Sequence, residues 1–278
     1  MDLTEKKTLE ALLEKHGTIP KKSLGQNFLL DKNTLLKICS SSLLSKKDTV
    51  IEIGPGAGTL TVFLAERVKK VIAVEKDAKM ISVLKETLQK YGNVQLIDED
   101  ALSLKVKEKD YKVVANLPYC VASQVIRGFL QINNPPSLMT VMVQKEVAER
   151  IMAKPPKMNM LATLVQLYAN VEKVKTVKRG SFWPSPNVDS AVIKIVPFKK
   201  RENEQFYKTF FELIKIGYSH PRKQLSTNFS QFDISPLKKI QLTNILTMMR
   251  ENEISTKRRA ESLSVEEWKK ITKDFLNE

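Results

Sequence analysis

Cysteine and histidine are the scarcest reactive residues in this chain of 278 residues, which holds two of each. Cys39 and Cys120 cannot make a disulfide framework, and no Cys/His spacing suits a metal centre. Neither histidine has a place beside Cys120, since His16 precedes the first motif and His220 lies in the C-terminal region. Cys120 is therefore expected to be a small packing residue and not a nucleophile. No uninterrupted apolar run reaches bilayer-spanning length, and the charged start Met1-Asp2-Leu3-Thr4-Glu5-Lys6-Lys7 has no signal-peptide apolar region. A reducing, cytoplasmic setting is the expectation. Acidic charge is also short: 31 Asp and Glu against 46 Lys and Arg give a formal charge of +15, which favours a polyanionic partner. An anionic membrane is the other candidate, but no strongly amphipathic basic helix with aromatic anchors stands out.

What the chain does contain is core-forming: 42% of its residues are apolar, and there is no repeat or low-complexity tract. Leu3 to His16 is expected to be a helix, followed by a loop over residues 17–30. Strands and helices alternate from about 48 to 198, with Met139 to Val143 as a fifth strand. Val171 to Lys178 and Ser190 to Val196 are expected to form a closing antiparallel pair. Beyond Pro197 the apolar spacing is helical throughout (Phe206, Phe210, Phe211, Ile214; Leu242, Ile245, Leu246, Met249; Trp268, Ile271, Phe275), with breakers at Pro221 and Pro236. The division expected is residues 1–198 as an α/β domain and residues 199–278 as a small helical one. Basic residues recur in clusters: Lys105, Lys107 and Lys109; Lys173, Lys175, Lys178 and Arg179; Lys199 to Arg201; Lys257 to Arg259. Any one cluster is compatible with a merely solvated face; the overall excess is harder to dismiss.

The first strand of the alternation, Val50-Ile51-Glu52-Ile53, runs into Gly54-Pro55-Gly56-Ala57-Gly58 and then into a helix-spaced segment. Glycines there let the backbone approach a ligand closely. A dinucleotide fingerprint would want its third small residue at position 59, which is Thr59, whereas the third glycine is Gly58. The second strand ends in Glu75, a carboxylate able to bind a ribose in either cofactor class. The third ends in Asp98-Glu99-Asp100, and the fourth in Asn116-Leu117-Pro118-Tyr119. Four successive strand ends thus carry ligand groups, a row along one edge of a parallel sheet. At the last of them a neutral amide and a ring stand on a Pro-stiffened turn. The Asn116 carbonyl can accept from a planar amine such as adenine N6, and Tyr119 can stack on a flat ring.

These motifs resemble those of the rRNA adenine N6-dimethyltransferases. Lys22-Ser23-Leu24-Gly25-Gln26-Asn27-Phe28-Leu29 resembles the family's N-terminal motif, Glu52 to Gly58 its glycine loop, and Asn116 to Tyr119 its target-amine motif. Gln144 to Arg150 is similar to its mid-chain helix entry, and Phe182-Trp183-Pro184 to Ser190 to its Phe-x-Pro loop. Ser23 to Gln26 and the long C-terminal region fit the small-subunit rRNA subgroup better than the large-subunit resistance methylases. Two departures stand out. Met158 and Asn159 replace a usual Tyr-Gly pair, and Pro221 replaces the first arginine of a basic signature within Gly217 to Leu225.

The resemblance implies a Rossmann-like class I methyltransferase domain with a small all-helical C-terminal domain, using S-adenosyl-L-methionine to dimethylate adenine N6 in small-subunit rRNA during ribosome biogenesis. It implies cofactor contacts from Gln26, Asn27, Leu29, Gly54, Gly56, Glu75, Lys76, Asp100, Ala101 and Asn116. It implies catalysis by Asn116, Leu117, Pro118 and Tyr119, with Phe182 and Tyr119 sandwiching an extruded base. Arg222 and Lys223 would contact RNA; no metal or membrane is implied. The partner would be small-subunit rRNA or the immature small ribosomal subunit. Other readings are methylation of large-subunit rRNA, of a DNA adenine or of a Gln amine, a ribosome assembly factor whose catalysis is secondary, and a dinucleotide oxidoreductase, which the glycine spacing disfavours.

Overall fold

The apolar run ahead of the glycine loop forms an inner strand of a seven-stranded sheet in the computed structural model, which describes residues 1–21, 25–231 and 239–277. Lys22, Ser23, Leu24 and Pro236 lie outside the described residues. Helix α1 (Lys6–Lys15) leads to a two-residue strand β1 (Phe28–Leu29) and α2 (Lys32–Ser41). The alternation follows as β2 (Thr49–Ile53), α3 (Thr59–Ala65), β3 (Lys70–Glu75), α4 (Ala78–Thr87), β4 (Val94–Asp98), β5 (Lys112–Asn116), α5 (Ala122–Gln131), β6 (Leu138–Gln144) and α6 (Lys145–Ile151). Helix α7 (Met160–Tyr168) precedes β7 (Ala169–Val177), the short β8 (Phe182–Trp183) and β9 (Ser190–Pro197). The C-terminal helices are α8 (Glu204–Gly217), α9 (Leu225–Gln231), α10 (Lys239–Glu251) and α11 (Val265–Asn277).

The strands lie in the order β4-β3-β2-β5-β6-β9-β7. The first five are parallel, and β9 pairs antiparallel with both β6 and β7. The closing antiparallel pair is thus the one expected from the sequence, with a register shift between Lys173 and Lys175. From β2 the chain steps to β3 and β4 on one side, then returns to place β5 on the other. The order therefore reverses between β2 and β5, and a crevice opens beyond the carboxyl ends of strands at such a point. Gly54 and Asn116 stand there.

Burial explains why these segments are strands. Val50, Val71 and Val114 have no exposed surface and pack with Leu35, Ile38, Leu64 and Met142, each fully buried aliphatic side chain contributing about 1.5–3 kcal/mol. Edge strand β4 is only half-buried. Helix α1 buries Leu9, Leu12 and Leu13 against Phe28, Met80 and Val83.

Two compact units result, Met1–Ala148 with Ala169–Pro197, and Glu149–Tyr168 with Phe198–Glu278. One break follows Pro197, and the segment Glu149–Tyr168 groups with the C-terminal helices. Its apolar face is the reason: Ala162, Val165 and Tyr168 are buried, and Tyr168 stacks on Tyr207 at 4.8 Å between ring centroids. Asn159 caps α7, its Oδ1 accepting the Ala162 N–H at 3.0 Å, so this departure from the family motif has a structural use. In the same unit Phe210, Phe229 and Trp268 are fully buried. Gly217 lies against the Trp268 ring, where a Cβ would collide. The aromatic stripe of α8 is therefore largely core.

Candidate active site

A single cavity at the carboxyl ends of β2 to β5 gathers most of the expected residues. Gln26, Asn27, Leu29, Gly54, Gly56, Glu75, Lys76, Asp100, Ala101 and Asn116 all line it, as do Leu117, Pro118 and Tyr119. Across the neighbouring strands β4, β3, β2 and β5, Asp100 lies beyond β4, Glu75 ends β3, Gly54 follows β2 and Asn116 ends β5.

The glycine loop is shaped by close approach. Gly54 has φ +65° and a Cβ there would meet Pro118 Cγ at 3.0 Å; at Gly56, φ +60°, it would meet the Phe28 ring at 3.0 Å. Side chains at either position would crowd the cavity wall. Glu75, at the end of β3, accepts the N–H groups of Lys76 and Asp77 at 3.0 Å each and that of Gly56 at 3.3 Å. Burial pushes its carboxyl above the usual range despite those bonds. Asp100 is held below its usual range by the Leu102 N–H, helped by the Lys76 ammonium at 3.4 Å. Asp98 is exposed and not part of the wall, whereas Glu99 is.

The Asn116 amide donates through Nδ2 to the Asn27 carbonyl at 3.2 Å. Leu117 N–H bonds the Met142 carbonyl at 3.1 Å, and the Pro118 carbonyl accepts the Val121 N–H at 3.1 Å, closing the turn into α5. Tyr119 is half-buried and shares a 2.6 Å hydrogen bond with the Ser190 hydroxyl at the start of β9; burial raises its phenol above the ordinary value, so the ring stays neutral. Gln26 lines the wall, but its amide accepts the Lys21 N–H at 2.9 Å and donates to Asp77 at 2.9 Å.

Several expectations need correction. Phe182 does not line the cavity: it is 5% exposed, in the core with Leu29, Leu35 and Val177. Strands β1 and β8 pair antiparallel, Leu29 opposite Phe182 and Phe28 opposite Trp183. The pairing sets Phe182 beside Leu29 in that core, while Trp183 stacks on Phe28 at 6.3 Å. Cys120 is exposed and lines the cavity instead of packing, because the turn closed by the Pro118 carbonyl leaves it on the outside. Arg222 and Lys223 are exposed in the second unit, in the turn between α8 and α9 beside exposed Pro221. Part of the basic excess is internally paired: Lys175 with Asp31 at 3.5 Å, Lys178 with Asp189 at 3.0 Å, and Arg258 with Glu267.

Sequence reasoning passed over Glu52 as a site residue. It is 1% exposed on β2 and lines the cavity; its Oε2 has no hydrogen-bond partner among the described residues. Burial pushes its carboxyl up to about 8, and the nearby Glu75 charge acts in the same direction. The signal was present, an acid inside the apolar run Val50–Ile53. Among the described residues no group of three or more His, Cys, Asp or Glu is arranged for a metal ion, and no helix is long and apolar enough to cross a membrane.

A family model described as "Ribosomal RNA adenine dimethylase" matches residues 18–273. A protein of Geobacillus sp. (strain WCH70) named "Ribosomal RNA small subunit methyltransferase A" is 41% identical over 273 residues, 92% of each chain. A protein of the same name from Bacillus cereus (strain B4264) is 40% identical over 280 residues, 96% of this chain and 95% of the other. Among solved structures, a dimethyladenosine transferase from Plasmodium falciparum superposes with a TM-score of 0.78 at 27% identity, over 90% of this chain and 98% of that one. The 23S rRNA methyltransferase ErmE gives a TM-score of 0.71 at 20% identity, over 91% of this chain and all of the other, a likeness of fold.

Proposed function

Since the chain belongs to the ribosomal RNA adenine dimethylase family, we propose that it is the S-adenosylmethionine-dependent enzyme that dimethylates adenine N6 in small-subunit rRNA. The observation that carries the reading is the placement of Asn116 and Tyr119 at the sheet's switch point, in one cavity with Glu75 and Asp100. The relatives near 40% identity carry the small-subunit name.

The cavity suits the donor. The Glu75 and Asp100 carboxyls in its wall fit a cation bearing hydroxyls, and the crowding at Gly54 and Gly56 leaves backbone as the inner surface. When bound, S-adenosylmethionine supplies a methyl carbon already activated by a sulfonium. Glu75 would hold the ribose hydroxyls, Asp100 the adenine amine of the cofactor, and the segment from Gln26 to Leu29 would cover the methionine end.

The protein's own task is alignment. The target amine's lone pair is delocalised into its ring. Asn116 Oδ1 would accept one N6–H and localise that pair, its orientation set by the Nδ2 bond to Asn27. The Leu117 carbonyl is the better second acceptor, because that of Pro118 already closes the turn. These acceptors stabilise the positive charge developing on nitrogen. Methylated nitrogen is acidic enough to release its proton to water, so a neutral amide suffices where a general base might be sought. Tyr119 would stack on the extruded base.

The excess of 46 basic over 31 acidic residues would hold rRNA phosphates, with Arg222 and Lys223 among the contacts. We take the partner to be the immature small ribosomal subunit in the cytoplasm. The test is methyl transfer from labelled S-adenosylmethionine to unmethylated small subunits, with the nucleosides analysed by mass spectrometry. N6,N6-dimethyladenosine is expected; an absence of label in adenine would overturn the reading. Label in large-subunit RNA instead would reassign the substrate.

A further inference from the structure

Asp77 sits two residues beyond the ribose-edge carboxylate and is 6% exposed. Its main chain serves Glu75, to which its N–H donates. Its side chain serves a different segment. Lys21 Nζ lies 3.0 Å from each carboxylate oxygen, Gln26 Nε2 donates at 2.9 Å, and the Lys79 N–H at the start of α4 donates at 3.1 Å. Burial alone would raise this carboxyl, yet the bonds from Lys21 and Gln26 outweigh it and hold it below the usual carboxylate range.

Gln26 is thereby fixed at both ends of its amide, since its oxygen accepts the Lys21 N–H at 2.9 Å. The next residue, Asn27, offers the carbonyl that takes the Asn116 amide at 3.2 Å. Gly25, on the other side, lies so near the target-amine turn that a Cβ there would touch the Tyr119 nitrogen at 3.4 Å. A continuous path of hydrogen bonds and one short backbone step thus runs from Asp77 through Gln26 and Asn27 to Asn116, from the cofactor edge of the cavity to its amine edge.

We infer that Asp77 is a positioning residue for methyl transfer, holding Gln26 so that the Asn27 carbonyl orients the Asn116 amide toward the target amine. The inference rests on the reading of Asn116 given above. A side chain that only capped α4 would need the Lys79 N–H and nothing more; the ion pair and the Gln26 bond tie it to the far wall.

A double-mutant cycle tests it under single-turnover conditions with saturating S-adenosylmethionine. Asp77→Ser keeps a cap for α4 but loses the bonds to Lys21 and Gln26, and Gln26→Leu removes the tether without touching α4. Each should lower the methylation rate roughly tenfold to a hundredfold. In an Asn116→Ala background the same changes should have almost no further effect, because the group they position is gone. Equal losses in both backgrounds, or no loss in the parent, would overturn the inference. Should the Asn116→Ala rate be too slow to compare, the side-chain NH2 resonances of 15N-labelled Asn116 decide. They should shift in the Gln26→Leu protein, and unchanged resonances would overturn the proposal. Its failure is distinct from failure of the underlying reading, which would appear as no adenine methylation by the parent protein or no loss on Asn116→Ala.

Discussion

Glu75 accepts the backbone N–H of Gly56 at 3.3 Å, so the carboxylate ending β3 and the glycine loop following β2 form one unit. A ligand that engages the carboxylate is thereby set against the loop. Replacing Glu75 with Ala should remove the ribose acceptor and loosen the loop together. Hydrogen bonds to a charged acceptor contribute roughly 1.5–3 kcal/mol, or about tenfold to a hundredfold in affinity. Calorimetry on folded Glu75→Ala protein should show that weakening for S-adenosylmethionine; unchanged affinity would remove Glu75 from the cofactor site.

The basic excess has a salt signature. Binding to small ribosomal subunits should fall steeply as salt rises, because neutralised phosphates release counterions. Arg222→Ala with Lys223→Ala should make the log–log slope shallower by about 1.4, at roughly 0.7 per contact on single-stranded RNA, with cofactor affinity unchanged. A slope identical to the parent's would mean these residues do not touch phosphate, and that the Pro221 departure marks a lost contact.

Much of this site was legible before any coordinates. Gly54, Glu75, Asp100 and Asn116 each follow a β-branched apolar run, and strand ends in an open parallel sheet converge on one edge. The Phe182 role was not legible, because whether a strand residue points inward depends on its register, and two-residue strands such as β1 and β8 have no alternation to read. Glu52 was hidden for the opposite reason. It belonged to a motif, yet its burial between adjacent strands depends on tertiary packing. The grouping of Glu149–Tyr168 with the C-terminal helices likewise depends on the tertiary partner of Tyr168, which lies far along the chain.

Phe182 provides a test of that register. As a core residue, its replacement by Ala should cost about 3–5 kcal/mol of stability and lower the melting temperature markedly. Phe182→Leu, which keeps most of the apolar volume, should retain both fold and methylation rate. A stable Phe182→Leu protein with greatly weakened capture of the target base would return Phe182 to a stacking role.

Glu52 makes stability depend on pH in a defined direction. Its carboxyl in the folded protein lies near 8, above its ordinary value of 4.5, so between those values the folded state binds more protons than the unfolded one. Stability should therefore fall as pH rises from about 5 toward 8 and level off beyond. Glu75, also raised, acts in the same sense. Thermal melts of Glu52→Gln should show a flatter decline over this window, the variant gaining on the parent as pH rises. Parallel melting curves for the two proteins would mean that Glu52 titrates normally.

The Asn116 side chain separates alignment from binding. Its Nδ2 is committed to Asn27, and the cofactor's ribose and adenine contacts are proposed to lie on Glu75 and Asp100, one and two strands beyond β2. Asn116→Ala should therefore keep S-adenosylmethionine affinity to within about tenfold, the loss of one neutral hydrogen bond. Turnover should fall by roughly 10²–10³, as when one preorganised charge-stabilising group is removed. Asn116→Asp, which keeps an acceptor in place, would be expected to recover part of the rate, while losing one donor to the Asn27 carbonyl. Single-turnover methylation of small subunits alongside cofactor calorimetry reads both quantities. A full methylation rate in Asn116→Ala would mean that the amine is held elsewhere. Intact binding of cofactor and particle with almost no transfer would fix the residue's part in the chemistry.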